Sequence, residues 1–124
     1  MDKFGKYNIE NIPKDYLYIE KINWDDEGLK INMSFERDKG KITLLFDGTV
    51  FYYKNTAESF KPMWWINNRE DYNPFYYSYD SEYIVNLKKE AEHVTDYKII
   101  HFVIVGSDSV VDVLTTDFPK TEKI

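Results

Sequence analysis

The stretch KIIHFVIVGSDSVVDVLTTD, residues 98–117, decides the fold. Apart from His101, residues 99–105 are apolar, at positions that face both sides of a strand, which is typical of a strand covered on both faces. Residues 106–108 supply turn chemistry, and a second β-branched run follows at 110–114. The stretch therefore predicts a central β-hairpin around which the rest of the chain is organised.

His101 and Asp112 lie in the two strands of this predicted hairpin. A loop of residues 106–109 places their side chains on the same face of the sheet. A loop shorter by one residue places them on opposite faces, because a one-residue slip reverses every side chain. The residues leave both registers open. If the side chains meet, we expect a structural hydrogen-bonded pair, because the sequence offers no nucleophile or third ligand beside them.

The composition predicts one folded domain. Of the 124 residues, 43% are hydrophobic and 18% aromatic, which is typical of a chain that forms a core. The absence of cysteine excludes disulfides, thiolate metal sites and cysteine nucleophiles. No apolar run could span a bilayer, and the N-terminus lacks the apolar core of a signal peptide. We therefore expect a soluble, cytoplasmic protein without a membrane partner.

The net charge of -6 lies mostly in the second half of the chain. Residues 63–124 contain 11 acidic side chains against 6 Lys or Arg, whereas residues 1–62 contain 11 against 10. An acidic surface repels nucleic acid and attracts a basic partner. Solubility alone explains the charge equally well.

Residues 1–14 are predicted to form a loosely docked N-terminal arm, and strands follow it as far as residue 54. The clearest alternation of apolar and polar residues covers 29–36, which predicts a strand with one solvated face. Further strands are predicted at 16–24, 41–46 and 49–54. Asp47 and Gly48 indicate a two-residue hairpin turn between the last two, so an antiparallel meander is expected.

One helix is predicted from Ser81 to about His93. Asp80 or Ser81 can cap its start, and Ile84, Leu87 and Ala91 recur at helical spacing. FYYSY, residues 75–79, predicts another strand. The fold class is therefore α+β: a single domain with a twisted antiparallel sheet of about six strands and the helix packed on one face.

Residues 55–80 lose periodicity and become dense in aromatic and acidic side chains. Tyrosine and tryptophan are favoured interface anchors, and acidic neighbours steer a basic partner towards them. The same aromatic residues could instead fill the core. The predicted partner-binding residues are Trp64, Trp65, Glu70, Asp71, Tyr72, Tyr76, Tyr77, Tyr79, Asp80 and Glu82.

Sequence patterns for catalysis and metal binding are absent. The glycines are isolated turn residues, so none forms a phosphate loop. His93 is expected to complement the helix dipole. The acidic run at residues 25–27 lacks the spaced ligands of a calcium loop and predicts a solvated turn. We predict no catalytic residue, no metal and no cofactor.

Four segments, FDGTVFYYKNTAESF, DSEYIVNL, IIHFVIVGSDSVVDVL and DFPK, together resemble a group of small acidic bacterial proteins, many of which are similar to immunity proteins of polymorphic toxin systems. The resemblance covers residues 47–119. The matched residues are Asp47, Glu58, Ser81, Tyr83, His101, Asp112 and Pro119. It implies a one-to-one inhibitor that occludes the active cleft of a toxin, and it brings no catalytic role.

We therefore expect a non-enzymatic immunity or inhibitor protein that binds a cognate basic toxin domain, such as a nuclease. Two alternatives stay open. One is a small-ligand-binding or enzymatic domain that uses His101 and Asp112. The other is a phage- or host-encoded inhibitor of a nucleic-acid enzyme, which shares the acidic surface and differs only in its target.

Overall fold

The mostly apolar run at residues 99–105 supplies the middle strand of a five-stranded antiparallel sheet. This is seen in the computed structural model, which describes residues 4–13, 15–57, 73–91 and 96–123. All residues of the middle strand are buried, because both of its faces are covered. In spatial order the strands are β1 (Gly5–Lys6), β6 (Phe75–Ser78), β7 (Ile100–Val105), β8 (Ser109–Thr115) and β5 (Val50–Ala57).

A second, four-stranded antiparallel sheet packs against the first. Burial alternates strictly along β3 as the sequence predicts, with every second residue in the core. The order of its strands is β2 (Leu17–Asp25), β3 (Gly28–Phe35), β4 (Lys41–Phe46) and β9 (Lys120–Lys123). The α+β class is confirmed, but the prediction of about six strands in one sheet is wrong, because the described residues form nine strands in two sheets.

Two of the additional strands have no hydrophobic pattern that a sequence could reveal. β1 has only two residues, and β9, with the sequence KTEK, is exposed along its whole length. Both lie at sheet edges, where backbone hydrogen bonds to one neighbour are sufficient to hold them. Their backbone pairing therefore depends on the tertiary structure.

The predicted hairpin at Asp47 and Gly48 is also wrong. β4 and β5 belong to different sheets, so these two residues carry the chain from one sheet to the other. The Lys120 ammonium lies 2.6 Å from the Asp47 carboxylate, and Gly48 packs against the side chains of Thr116 and Asp117. A β-carbon at Gly48 would come too close to the Asp117 carboxylate, so a larger residue here would need this exposed side chain to turn away.

The main core fills the space between the two sheets. Its largest buried side chains come from alternating positions of the facing strands, which is the pattern expected when two sheets pack face to face. They include Leu29, Ile31, Met33, Ile42, Leu44, Phe46, Phe75, Phe102, Ile104, Val111 and Val113. Phe46 and Phe75 both approach the central Phe102 ring.

The helix α1 (Glu82–Glu90) covers the opposite face of the five-stranded sheet. Ser81 is its N-cap, and its hydroxyl accepts a hydrogen bond from the Ile84 N–H. Ile84 packs against Ile99 and Leu114, which closes a second, smaller core on this face. The predicted end near His93 lies outside the described residues.

The N-terminal segment, predicted as a loosely docked arm, contributes β1 to the edge of the five-stranded sheet. Tyr7, Ile9 and Ile12 pack against the main core, and Phe4 packs on the face that carries the helix. In the part of the chain that the structure describes, no helix is long and apolar enough to cross a membrane.

Candidate functional site

His101 lies at the centre of a buried polar network beneath the start of α1. Its Nε2 lies 2.7 Å from Oδ1 of Asp112, and its Nδ1 lies 2.7 Å from Oγ of Ser81. The loop between β7 and β8 is the four-residue one, because Val105 pairs with Val110. Val103 pairs with Asp112, so His101 and Asp112 are diagonal neighbours on one face of the sheet.

One assignment of protons satisfies every contact in the network. The Ser81 oxygen accepts from the Ile84 N–H and its hydroxyl donates to Nδ1 of His101. The Nε2–H of His101 then donates to the Asp112 carboxylate. A buried polar group is tolerated when its hydrogen bonds are made, so this network stabilises the junction between the helix and the sheet.

Aromatic rings close the network from two sides. The Tyr83 ring stacks on the imidazole with centroids 4.7 Å apart and planes inclined by 14°, and Phe4 meets it edge-on at 5.3 Å. Ser81 is fully buried, and His101 is only 2% exposed. Solvent and substrate therefore have no direct access to the Ser81 hydroxyl in this conformation.

The set differs in connectivity from the Ser-His-Asp arrangement of hydrolases. In that arrangement Nε2 faces the serine and Nδ1 faces the aspartate. Here the two ring nitrogens are exchanged, and the serine oxygen is already engaged as a helix cap. The hydrogen bonds of this network join the start of α1 to β7 and β8.

The sequence offers Asp80 or Ser81 as the helix cap but carries no signal that Ser81 would meet His101. The contact arises because β6 pairs with β7 and places Ser78 directly opposite His101, so the chain reaches Ser81 just above the imidazole. Tyr83 and Phe4 were missed for the same reason. Only the strand order brings these residues together.

Part of the predicted partner-binding surface is exposed at the turn between β6 and α1. Tyr79 is 46% exposed, and its ring meets Tyr77 edge-on at 5.6 Å. Asp80 and Glu82 are exposed next to it in the chain. The Lys98 ammonium lies 4.7 Å from the centroid of the Tyr79 ring and partly offsets the negative charge. We call Tyr77, Tyr79, Asp80 and Glu82 the acidic tyrosine surface.

The other predicted partner-binding residues do not join this surface. Tyr76 is only 3% exposed and packs with Val103, Val105 and Val110, so it belongs to the core of the free protein. It points to the opposite side of β6 from Tyr77, because successive side chains of a strand alternate. Trp64, Trp65, Glu70, Asp71 and Tyr72 lie outside the described residues.

A cleft of about 440 Å³ lies between α1 and the edge strand β5. It is lined by Tyr52, Lys54, Tyr83, Asn86, Leu87 and Glu90. The Tyr83 side of the cleft is held in position, because the Tyr83 ring stacks on the buried His101. Burial raises the pKa of Tyr52, and the neighbouring Tyr83, Asp112 and Glu90 raise it further. The phenol of Tyr52 therefore stays protonated and can donate a hydrogen bond.

Metal binding finds no support in the described residues. No group of three His, Asp or Glu side chains there is arranged to hold an ion. The acidic turn at residues 25–27 is organised internally instead, since the Asp25 carboxylate accepts from the Glu27 N–H and the Asn23 amide. These bonds are those of a turn at the end of a hairpin.

Comparison with known proteins gives no significant match to any protein-family model, curated protein sequence or solved structure.

Proposed function

We propose that this protein is a non-enzymatic inhibitor that occludes a basic protein domain, in the manner of the immunity proteins of polymorphic toxin systems. The observation that carries the proposal is the acidic tyrosine surface, where a half-exposed Tyr79 stands beside the carboxylates of Asp80 and Glu82. An exposed aromatic ring supplies contact area, while the carboxylates steer a cationic partner and select against anionic ones.

The state of the Ser-His-Asp network supports a binding role over catalysis. Its donors and acceptors are engaged with one another, and its serine is fully buried. A catalytic use would require this junction to open and the helix to lose its cap. The second candidate, in which His101 and Asp112 contact a ligand directly, is therefore the weaker proposal.

The partner we propose is a toxin domain with a basic active cleft, such as a nuclease, met in the cytoplasm. A nucleic-acid enzyme from a phage or host would present the same chemistry. Capture from cells of the source organism at low and then moderate salt isolates the partner. The purified partner is then assayed with increasing amounts of the protein, and complete inhibition at one-to-one stoichiometry is the expected result.

Variants of the acidic tyrosine surface test where the partner binds. Tyr79→Ala should weaken binding by about 2 kcal/mol, since truncation of a central aromatic anchor has this effect. Tyr97→Ala is the matched control, because Tyr97 is 49% exposed and lies outside the surface. Equal affinities for the two variants would place the interface elsewhere.

Charge reversal tests the steering step separately. Replacing Asp80 and Glu82 with lysine should slow association and reduce its dependence on salt, while dissociation changes less. The same replacement at Glu70 and Asp71 tests the remainder of the predicted acidic segment. Reversal of Asp26 and Glu27 in the β2–β3 turn serves as the control, and an identical loss of association rate there would indicate a non-specific charge effect.

A further inference from the structure

The cleft between α1 and β5 has ends of opposite charge. Lys54 stands at the end formed by the start of the helix, where its ammonium lies 5.9 Å from the centroid of the Tyr83 ring. Glu90 stands at the other end, because it is the last residue of α1. The helix dipole has the same sense, positive near Tyr83 and negative near Glu90. Asp112 lies opposite Lys54 in the pairing of β5 and β8, but its carboxylate is engaged with His101, so Lys54 supplies the cation at one end of the cleft and Glu90 the carboxylate at the other.

Lys54, on β5, lies beside the Tyr83 ring near the start of α1, and Glu90 is the last residue of the helix. Tyr83 and Glu90 are seven residues apart, which corresponds to about 10 Å of helix rise. In the described part of the chain no ion pair joins Lys54 to Glu90, so the charges do not neutralise each other across the cleft. An extended chain of three residues spans about 10 Å. That length matches a tripeptide whose ammonium and carboxylate are both free.

We propose that this cleft binds short peptides, of about three residues, by their free termini. The peptide carboxylate pairs with the Lys54 ammonium and the peptide ammonium pairs with the Glu90 carboxylate. The Asn86 amide stands between these ends on the same helix face and can pair with the peptide backbone. The site is separate from the acidic tyrosine surface and does not depend on it.

The walls favour an apolar side chain in the bound peptide. Tyr52 and Tyr83 contribute two rings, and Leu87 contributes aliphatic surface. The Tyr83 ring is held in place by its stacking on His101, which is itself fixed by Ser81 and Asp112. A wall that is ordered before binding costs less conformational entropy when the ligand arrives. The buried network thus supports the cleft as well as the helix.

The test uses the full chain, labelled with 15N, and the peptide Ala-Phe-Ala with free termini. We expect amide shifts that saturate and that map to the residues lining the cleft. Acetylating the peptide N-terminus or amidating its C-terminus should each weaken binding about tenfold, because each removes one charge-assisted contact. A doubly capped peptide that binds as well as the free one would overturn the proposal and indicate that the cleft takes an internal segment of a protein.

Two variants assign the ends of the peptide. Glu90→Gln should weaken the free peptide about tenfold yet leave the acetylated peptide unchanged, and Lys54→Met should do the same for the amidated peptide. Lys89→Met and Glu27→Gln are controls, because both residues are exposed and neither lines the cleft. Equal binding by all four variants, or the lack of any shift in the cleft, would overturn the proposal.

Discussion

At the scale of single residues, His101 shows how a polar side chain can occupy a hydrophobic centre. Both ring nitrogens have partners at 2.7 Å, and the ring also contacts Tyr83, which stacks on it, and Phe4, which meets it edge-on. The desolvation cost of an imidazole is offset when all its hydrogen bonds are made. Removing either partner therefore leaves a buried group unsatisfied.

We expect Asp112→Ala to lower the free energy of unfolding by about 1–3 kcal/mol, because the Nε2–H of His101 loses its acceptor. Asp112→Asn retains an acceptor and should lower the free energy of unfolding by less. Denaturation by urea measures both, with Asp26→Ala in the exposed turn as the control. A loss for Asp112→Ala no greater than that of the control would contradict a structural role for the pair.

His101→Ala distinguishes a structural role of His101 from direct contact with a ligand. It should destabilise the fold for the reason given above, while inhibition of the captured partner persists in whatever fraction stays folded. Loss of inhibition without loss of stability would instead support the candidate in which His101 contacts a ligand.

Asp15 ties two ends of a hairpin together through its carboxylate. Oδ2 accepts from the N–H groups of Arg37 and Asp38, and Oδ1 accepts from the N–H of Tyr16. Desolvation by burial raises the pKa of Asp15, but these hydrogen bonds and the Arg37 guanidinium outweigh it and lower the pKa to about 2. The ionised form is therefore the one that stabilises the fold.

This depressed pKa predicts a pH dependence. The contribution of Asp15 is present above the unfolded pKa of about 4 and is lost as the pH falls towards 2. Asp15→Asn should therefore be less stable than the natural protein at pH 7, and the difference should shrink at acidic pH. Thermal unfolding at several pH values, with Asp26→Asn as the reference, measures it. A difference independent of pH would contradict the assignment.

At the scale of elements, the start of α1 has two roles at one residue. Ser81 caps the helix through its acceptor oxygen and holds His101 through its hydroxyl. A capping serine alone contributes about 1 kcal/mol. Because of the second contact, removing this hydroxyl should cost more stability than removing an ordinary helix cap.

Ser81→Ala should accordingly lower the free energy of unfolding by about 2–3 kcal/mol, as the sum of the cap and the histidine contact. Thr121→Ala, which removes a hydroxyl from an exposed position of β9, is the matched control. A double-mutant cycle with His101→Ala isolates the second contact, and a coupling energy near zero would show that Ser81 acts only as a cap.

At the scale of the whole molecule, the protection of backbone amides from hydrogen exchange should decrease from the central strands to the edges of the sheets. β7 has neighbours on both sides and both faces covered, whereas β9 has one neighbour and is exposed throughout. Amide hydrogen exchange should therefore occur only by global unfolding in β7 and by local opening in β9. Equal protection of the two strands would contradict this gradient.

The sequence alone determined several of the local elements of this protein. The alternation along β3, the mostly apolar run of β7 and a cap at Asp80 or Ser81 each act through neighbouring residues, so each could be predicted. The possible meeting of His101 and Asp112 was also visible, because only the loop length had to be chosen.

The tertiary structure alone decided which strands are neighbours. The divergence of β4 and β5 into separate sheets, the contact of Ser81 with His101 and the cleft beside Tyr83 all depend on pairings between distant segments. Such pairings are selected by the packing of the whole core, because many registers satisfy the same local pattern of apolar residues.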